Sequence, residues 1–351
     1  MNLGGKEIKI FYYLIKKLTL ILFLLFLLIS REGNQMVKIL NNFKRYKKYF
    51  DNKIYKYYRK YLNHHMIKYI NRNYSYGIKV LICAITKQED LYLEEFIDYY
   101  INLGITKIIL YDNNDLGDNS LNDLLNNTIY QNFIDIINFR GIKSAQKTAY
   151  SDCYNNNKNK YDWIAFFDID EFLYLKGFPN INKFLSLSKF KKCSSILINW
   201  RYYGDNDFIY YEPKPLKIRF AKPFIFDENK TVNIYFLAAA KSIIKGRLNI
   251  TWTHFPHFLN SSKICSPNGS IINNPLSPPN YKNAFIKHYT TKSTEEYLIK
   301  LFKGKVSSPY YLNKEAIIYW INKYYFLFNK ITKQKLLFIK RVTKLDVSKY
   351  F

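Results

Sequence analysis

Between residues 79 and 168 the chain alternates short unbroken apolar runs with longer segments whose apolar residues recur every three or four positions. VLICAIT (80–86) is apolar up to its last residue, which predicts a strand buried on both faces. EDLYLEEFIDYYINLG (89–104) follows, with Leu93, Phe96, Ile97, Tyr100 and Ile101 at helical spacing and Gly104 closing the pattern. KIILYD (107–112) predicts a second buried strand, ended by the turn-rich NNDLGDNS (113–120). Helical LNDLLNN (121–127), strand FIDIINF (133–139), helix SAQKTAYSDCYNNN (144–157) and strand DWIAFFD (162–168) complete the series. This alternation implies an α/β fold, a mostly parallel central sheet covered by helices on both faces. Ligands of such sheets bind beyond the carboxyl ends of the strands. The polar residues there are Thr86, Glu89, Asp112, Asn113, Asp168 and Asp170.

The last run continues as WIAFFDIDEFLYL (163–175), five apolar residues leading straight into three carboxylates. In an extended chain residues i and i+2 point the same way, so Asp168 and Asp170 leave the strand on one side while Ile169 turns into the core. Two such charges are costly side by side unless a cation lies between them. Mn²⁺ and Mg²⁺ take oxygen ligands and complete their shells with substrate phosphates and water. The pair is therefore a candidate metal clamp for a diphosphate leaving group.

CAITKQEDLYLEEFIDYYINLGITKIILYDNN with FFDIDEFL further on resembles glycosyltransferases of the GT-A fold, most closely family 92 and its family-2-like relatives. NWRYYGD (199–205), KSIIK (241–245), HFPH (254–257) and KHYTTKSTEEYLIKLFKG (287–304) follow in the same order as in those enzymes. The resemblance implies a GT-A domain over 77–304 that moves a hexose from a UDP-sugar to a glycan or protein-linked acceptor. It also implies Mn²⁺ or Mg²⁺ on Asp168 and Asp170, with His288 as a late-chain ligand. By the same resemblance Asp112 contacts the base, Thr86 and Glu89 lie near base or ribose, and Gln146 and Lys292 help hold the nucleotide. An inverting transfer needs one carboxylate beside the acceptor hydroxyl. Asp205, Asp207 and Glu171 are candidates, and Asp205 is the choice. GDND after Gly204 departs from the small, Ser-rich residues expected there.

Outside that domain the reading rests on composition. LTLILFLLFLLIS (18–30) is an uncharged, mostly apolar run of thirteen residues, short of the ~20 that cross a bilayer unless IFYYLI (10–15) joins it. Residues 1–35 are accordingly expected to be a membrane anchor, residues 36–76 a basic, Tyr-rich stalk, and residues 305–351 a basic helical extension. The protein is then expected to be single-pass and of ER/Golgi type. The net charge of +27 suggests polyanions, but the chain is also rich in Asn, Ile, Tyr and Phe, which an AT-rich genome over-supplies together with Lys. No specific nucleic-acid partner is expected. The alternative is a membrane-tethered basic protein binding RNA or anionic lipid through YKYYRKY, with an inactive transferase-like domain. Cys83, Cys153, Cys193 and Cys265 lie far apart, and neither a zinc site nor a disulfide framework is readable from their spacing.

Overall fold

The computed structural model describes residues 77–125, 130–225, 238–249, 263–274, 277–303 and 314–343. The strands and helices expected between 79 and 168 all form. They are β1 (Val80–Thr86), α1 (Asp90–Asn102), β2 (Lys107–Asp112), α2 (Leu121–Leu125), β3 (Ile134–Asn138), α3 (Gln146–Asn157) and β4 (Trp163–Phe166). All seven residues of β1 are buried, as an unbroken apolar strand at the centre of a two-faced sheet must be. Helix α1 buries Tyr92, Leu93, Phe96, Ile97, Tyr100 and Ile101 on one stripe. It stops where Gly104 adopts φ +92°. There Gly104 N–H donates to Ile101 O at 3.0 Å and Ile105 N–H to Tyr100 O at 3.1 Å, the paired bonds of a Schellman cap.

The second half of the sheet corrects the expectation of a mostly parallel one. Strand β5 (Glu171–Leu175), β6 (Ser195–Tyr202), β7 (Ala240–Lys245), the short β8 (Ile264–Cys265) and β9 (Ala284–His288) complete it. The order is β3-β2-β1-β4-β7-β6-β9-β5, with β8 beside β6. Pairs β1–β2, β1–β4 and β2–β3 are parallel. Pairs β4–β7, β6–β7 and β5–β9 are antiparallel, while β6–β9 is parallel again. The strand–helix alternation that enforces parallel crossovers ends at residue 168, and beyond it the connections no longer carry a helix per strand.

Short helices α4 (Ile181–Leu185) and α5 (Leu216–Arg219) lie between the later strands, and the C-terminal segment packs on this framework. Helix α6 (Thr294–Lys303) contributes Tyr297, Leu298 and Leu301 to a cluster with Ile317 of α7 (Lys314–Trp320). Ile321 and Tyr325 join from the π-helical turn Ile321–Tyr325, and Leu336 and Ile339 from α8 (Lys333–Thr343).

The expected membrane anchor is withdrawn, and with it the transmembrane helix, the single-pass location and the membrane as partner. Among the described residues no helix is long and apolar enough to cross a membrane. Residues 1–76, with the apolar run at 10–30 and the basic stalk, lie outside the described residues.

All four cysteines pair, Cys83 with Cys153 and Cys193 with Cys265. The partners are 70 and 72 residues apart, so no local spacing announces them. The first bond ties β1 to α3 and the second ties the start of β6 to β8. Reduction with dithiothreitol is expected to lower stability by about 2–4 kcal/mol per bond, read as a fall in the thermal midpoint.

Candidate active site

Three short sequence signals bring the acidic turn to its partners. The apolar β4 ends at Phe166, and Glu171 N–H donates to Asp168 O at 3.0 Å, so the chain turns sharply and re-enters the sheet as β5. Ile169 is buried, as its alternation with the aspartates requires. Tyr100, on the buried stripe of α1, accepts from Leu173 N–H at 3.0 Å and donates to Glu171 O at 2.9 Å, which pins the turn. Strand register then sets Glu171 directly opposite His288, and Tyr289 N–H donates to Asp170 O at 2.9 Å.

Lys241 serves Asp168 and Glu171, and Asp170 has its own cations. Asp168 Oδ2 lies 2.8 Å from Lys241 Nζ, and its Oδ1 accepts from Tyr150 OH at 2.8 Å and from Gln146 Nε2 at 3.4 Å. Asp170 Oδ2 lies 2.6 Å from Lys300 Nζ and 3.7 Å from Lys292 Nζ, while its Oδ1 is 3.7 Å from His288 Nε2. Glu171 Oε2 accepts from Asp168 N–H at 3.1 Å and sits 3.6 Å from Lys241 Nζ. The side chain of Asp168 is 33% exposed, that of Asp170 6% and that of Glu171 0%. The pair therefore splits into an outer and an inner carboxylate.

Ligand atoms of Asp170, Glu171 and His288 all lie within 4.8 Å of one another, an arrangement that can hold a divalent cation. Two of the buried atoms there, Glu171 Oε1 and His288 Nδ1, have no hydrogen-bond partner. Buried polar atoms are nearly always satisfied, and leaving one unpaired costs about 1–3 kcal/mol. Two orphans in one ligand cluster fit a site built for a cation.

Electrostatics divide the group. Burial works against ionisation of Asp170, but Lys300 and Lys292 outweigh it and hold the carboxyl well below its usual range. Burial likewise opposes ionisation of Asp168, and Lys241 with the Tyr150 hydrogen bond brings it below the ordinary value. Burial raises Glu171 well above the usual carboxylate range, with Lys241 pulling the other way. Burial first, then the charges of Lys300 and Lys241, lowers His288 to about 3 against the pull of Asp170. The imidazole is thus neutral near pH 7, the form that ligates a metal.

The family model of glycosyltransferase family 92 matches residues 76–325. The chain belongs to glycosyltransferase family 92. A family 92 protein of Ricinus communis is 32% identical over 100 residues, 28% of this chain and 17% of that protein. One of Arabidopsis thaliana is 31% identical over 118 residues, 32% of this chain and 20% of that protein. The matched segments thus span a fifth or less of those relatives. Crystal structures of Staphylococcus aureus TarS are far more distant. One aligns with a TM-score of 0.35 at 10% identity over 74% of this chain and 47% of that chain, and that likeness supports nothing further.

In this family 92 chain the fold gathers Gln146, Asp168, Asp170, His288 and Lys292, with Glu89 joined to them through Lys292 at 3.5 Å. Lys292 has φ +53° and a buried side chain, its ammonium 4.4 Å from the centre of the Tyr92 ring. Left-handed backbone costs a residue with a Cβ about 1–2 kcal/mol, offset here by the contacts that aim the ammonium at Asp170 and Glu89. Thr86 and Asp112 stand side by side at the ends of β1 and β2. The Thr86 hydroxyl is buried without a partner. Both Asp112 oxygens are taken by backbone, Oδ1 by Asn114 N–H at 3.0 Å and Oδ2 by Leu121 N–H at 2.8 Å.

Asp205 belongs to a different cluster. Its carboxylate accepts from Lys335 Nζ at 2.9 Å, from Tyr325 OH and from Asp207 N–H at 2.9 Å. Its own N–H donates to Asn329. These partners tie the loop after β6 to the C-terminal helices.

The sequence does not single out Tyr150, Lys241 or Lys300, and offers Glu171 only as a candidate base. Two of them leave a trace in the sequence. Tyr150 lies four residues after Gln146, on the same helix face. Lys241 interrupts an otherwise buried strand, where a lysine requires a carboxylate partner. Nothing local marks Lys300. The HFPH segment at 254–257 lies outside the described residues.

Proposed function

We propose that the protein transfers a hexose from a UDP-sugar to a glycan or protein-linked acceptor, using Mn²⁺ or Mg²⁺. The observation that carries this is the buried Asp170–Glu171–His288 group with two unpartnered polar atoms, ringed by Lys241, Lys292 and Lys300. Asp170, Glu171 and His288 would hold the cation. When bound, it supplies Lewis-acid stabilisation of the departing diphosphate. Asp168 stands at the open edge of the same turn, and we assign it to the metal–nucleotide complex from that side. Lys292 neutralises the phosphates, while Thr86, Glu89, Asp112 and Gln146 form the nucleotide-facing rim at the strand ends. The lysines give the diphosphate a fixed positive lining that needs no reorganisation as charge develops on the leaving group. Asp205, with its carboxylate held by Lys335 and Tyr325, is assigned to bracing the C-terminal helices rather than to proton abstraction.

A panel of UDP-sugars incubated with Mn²⁺ and candidate acceptors tests the reading. One donor is expected to be consumed, with transfer or slow hydrolysis abolished by EDTA and restored by Mn²⁺. UDP binding that is indifferent to EDTA would contradict the metal-dependent mechanism.

A further inference from the structure

Three lysines face the acidic turn, and they differ in freedom of movement. The side chains of Lys241 and Lys292 are each 4% exposed, whereas that of Lys300 is 34% exposed. Lys300 nevertheless makes the shortest contact of the three, 2.6 Å from Asp170 Oδ2, and also donates to Thr290 O at 3.3 Å. That carboxylate belongs to the candidate metal group. An ammonium in contact with one of its oxygens repels a divalent cation arriving at the other members, because like charges a few ångströms apart in a poorly solvated site are weakly screened.

Building on the metal-dependent reading of the site, we propose that Lys300 is a tethered stand-in cation that occupies Asp170 until metal and nucleotide arrive together. It discourages binding of the bare ion. It swings to the diphosphate when the metal–nucleotide complex enters, because its exposed stem leaves room for that motion and the phosphates offer a new counter-charge. The partly exposed end of α6 thereby couples the two ligands: Mn²⁺ alone binds weakly, and UDP strengthens it. Lys241 and Lys292 are packed too tightly to make this exchange. They act as fixed charges.

The test compares the wild-type chain with Lys300→Met, Lys300→Arg and Asp170→Asn. Binding of Mn²⁺ without nucleotide is read from the loss of its free-ion EPR signal, and binding of UDP at saturating Mn²⁺ is read by calorimetry. Lys300→Met is expected to bind Mn²⁺ alone roughly tenfold more tightly and Mn²⁺–UDP more weakly, so that the coupling between the two ligands collapses. Lys300→Arg keeps the charge and is expected to stay near wild type in both measurements. Unchanged or weaker binding of the bare ion by Lys300→Met overturns the proposal, and so does equal tightening in Lys300→Arg. The metal site itself is judged separately. If wild type binds Mn²⁺–UDP and Asp170→Asn does not, that site stands whatever the Lys300 variants do. If wild type binds neither ligand, both the site and the role of Lys300 fall.

Discussion

Asp170→Asn is expected to lower kcat/KM for sugar transfer by about 1,000-fold, close to 4 kcal/mol of transition-state stabilisation. Asparagine has the same shape but no charge, so the buried ligand group loses its only carboxylate held well below the usual range by two lysines. Lys300 and Lys292 then face an uncharged amide, and their positive charge opposes any cation brought in by the nucleotide. Asp168→Asn is expected to cost less, on the order of 10–100-fold, as for a group that supports a metal site from its edge. Its carboxylate is a third exposed, and Glu171 remains to partner Lys241. Initial rates over a Mn²⁺ titration decide the ranking, with thermal midpoints recorded alongside to show that both variants are folded. Binding of Mn²⁺–UDP by Asp170→Asn within threefold of wild type would remove Asp170 from the site.

Arg219→Met is expected to destabilise the fold by about 3–5 kcal/mol, with a fall of roughly 10 °C in the thermal midpoint. Arg219, at the end of α5 (Leu216–Arg219), meets Glu296 through two bonds, Nη1–Oε2 at 2.6 Å and Nη2–Oε1 at 3.1 Å. Both side chains are almost wholly buried. Tyr92 of α1 also donates to Glu296. Losing the guanidinium leaves a charged carboxylate in the interior, which costs far more than the pair itself contributes. Glu296 has a second task. In STEE (293–296), Ser293 N–H donates to Glu296 Oε2 at 3.1 Å and Glu296 N–H to Ser293 Oγ at 3.3 Å, the reciprocal capping box that starts α6. The helix that carries Lys300 is therefore oriented by this buried pair.

The same pair sets an acid limit. Burial opposes ionisation of Glu296, but Arg219 and the Ser293 bond prevail and hold its carboxyl at about 2 against the usual 4.5. A depressed carboxyl stabilises the fold fully above its unfolded value. That stability drains away as pH falls from about 4.5 towards about 2. Glu296→Gln is expected to be less stable at neutral pH and to lose the dependence in that window. Urea melts at pH 6 and pH 3 measure both effects, and an unchanged difference between the two pH values in Glu296→Gln would exclude this pair as its source.

From its sequence alone the protein determines the order and type of the elements from β1 to β4, because unbroken apolar runs and helical spacing are local properties of a chain. The same holds for the helix stop at Gly104 and the candidate site at the acidic turn after an apolar strand. Only the tertiary structure decides which cation meets which carboxylate. Lys241 reaches Asp168 across 73 residues and Lys300 reaches Asp170 across 130. It also decides that Glu171, facing His288 across the β5–β9 register, joins Asp170 in the ligand group, that Asp205 is taken up by the C-terminal helices, and that the cysteines pair. The antiparallel returns of β7 and β9 set those distances. A hydrophobic pattern records which residues are buried, but not which other buried residues they meet.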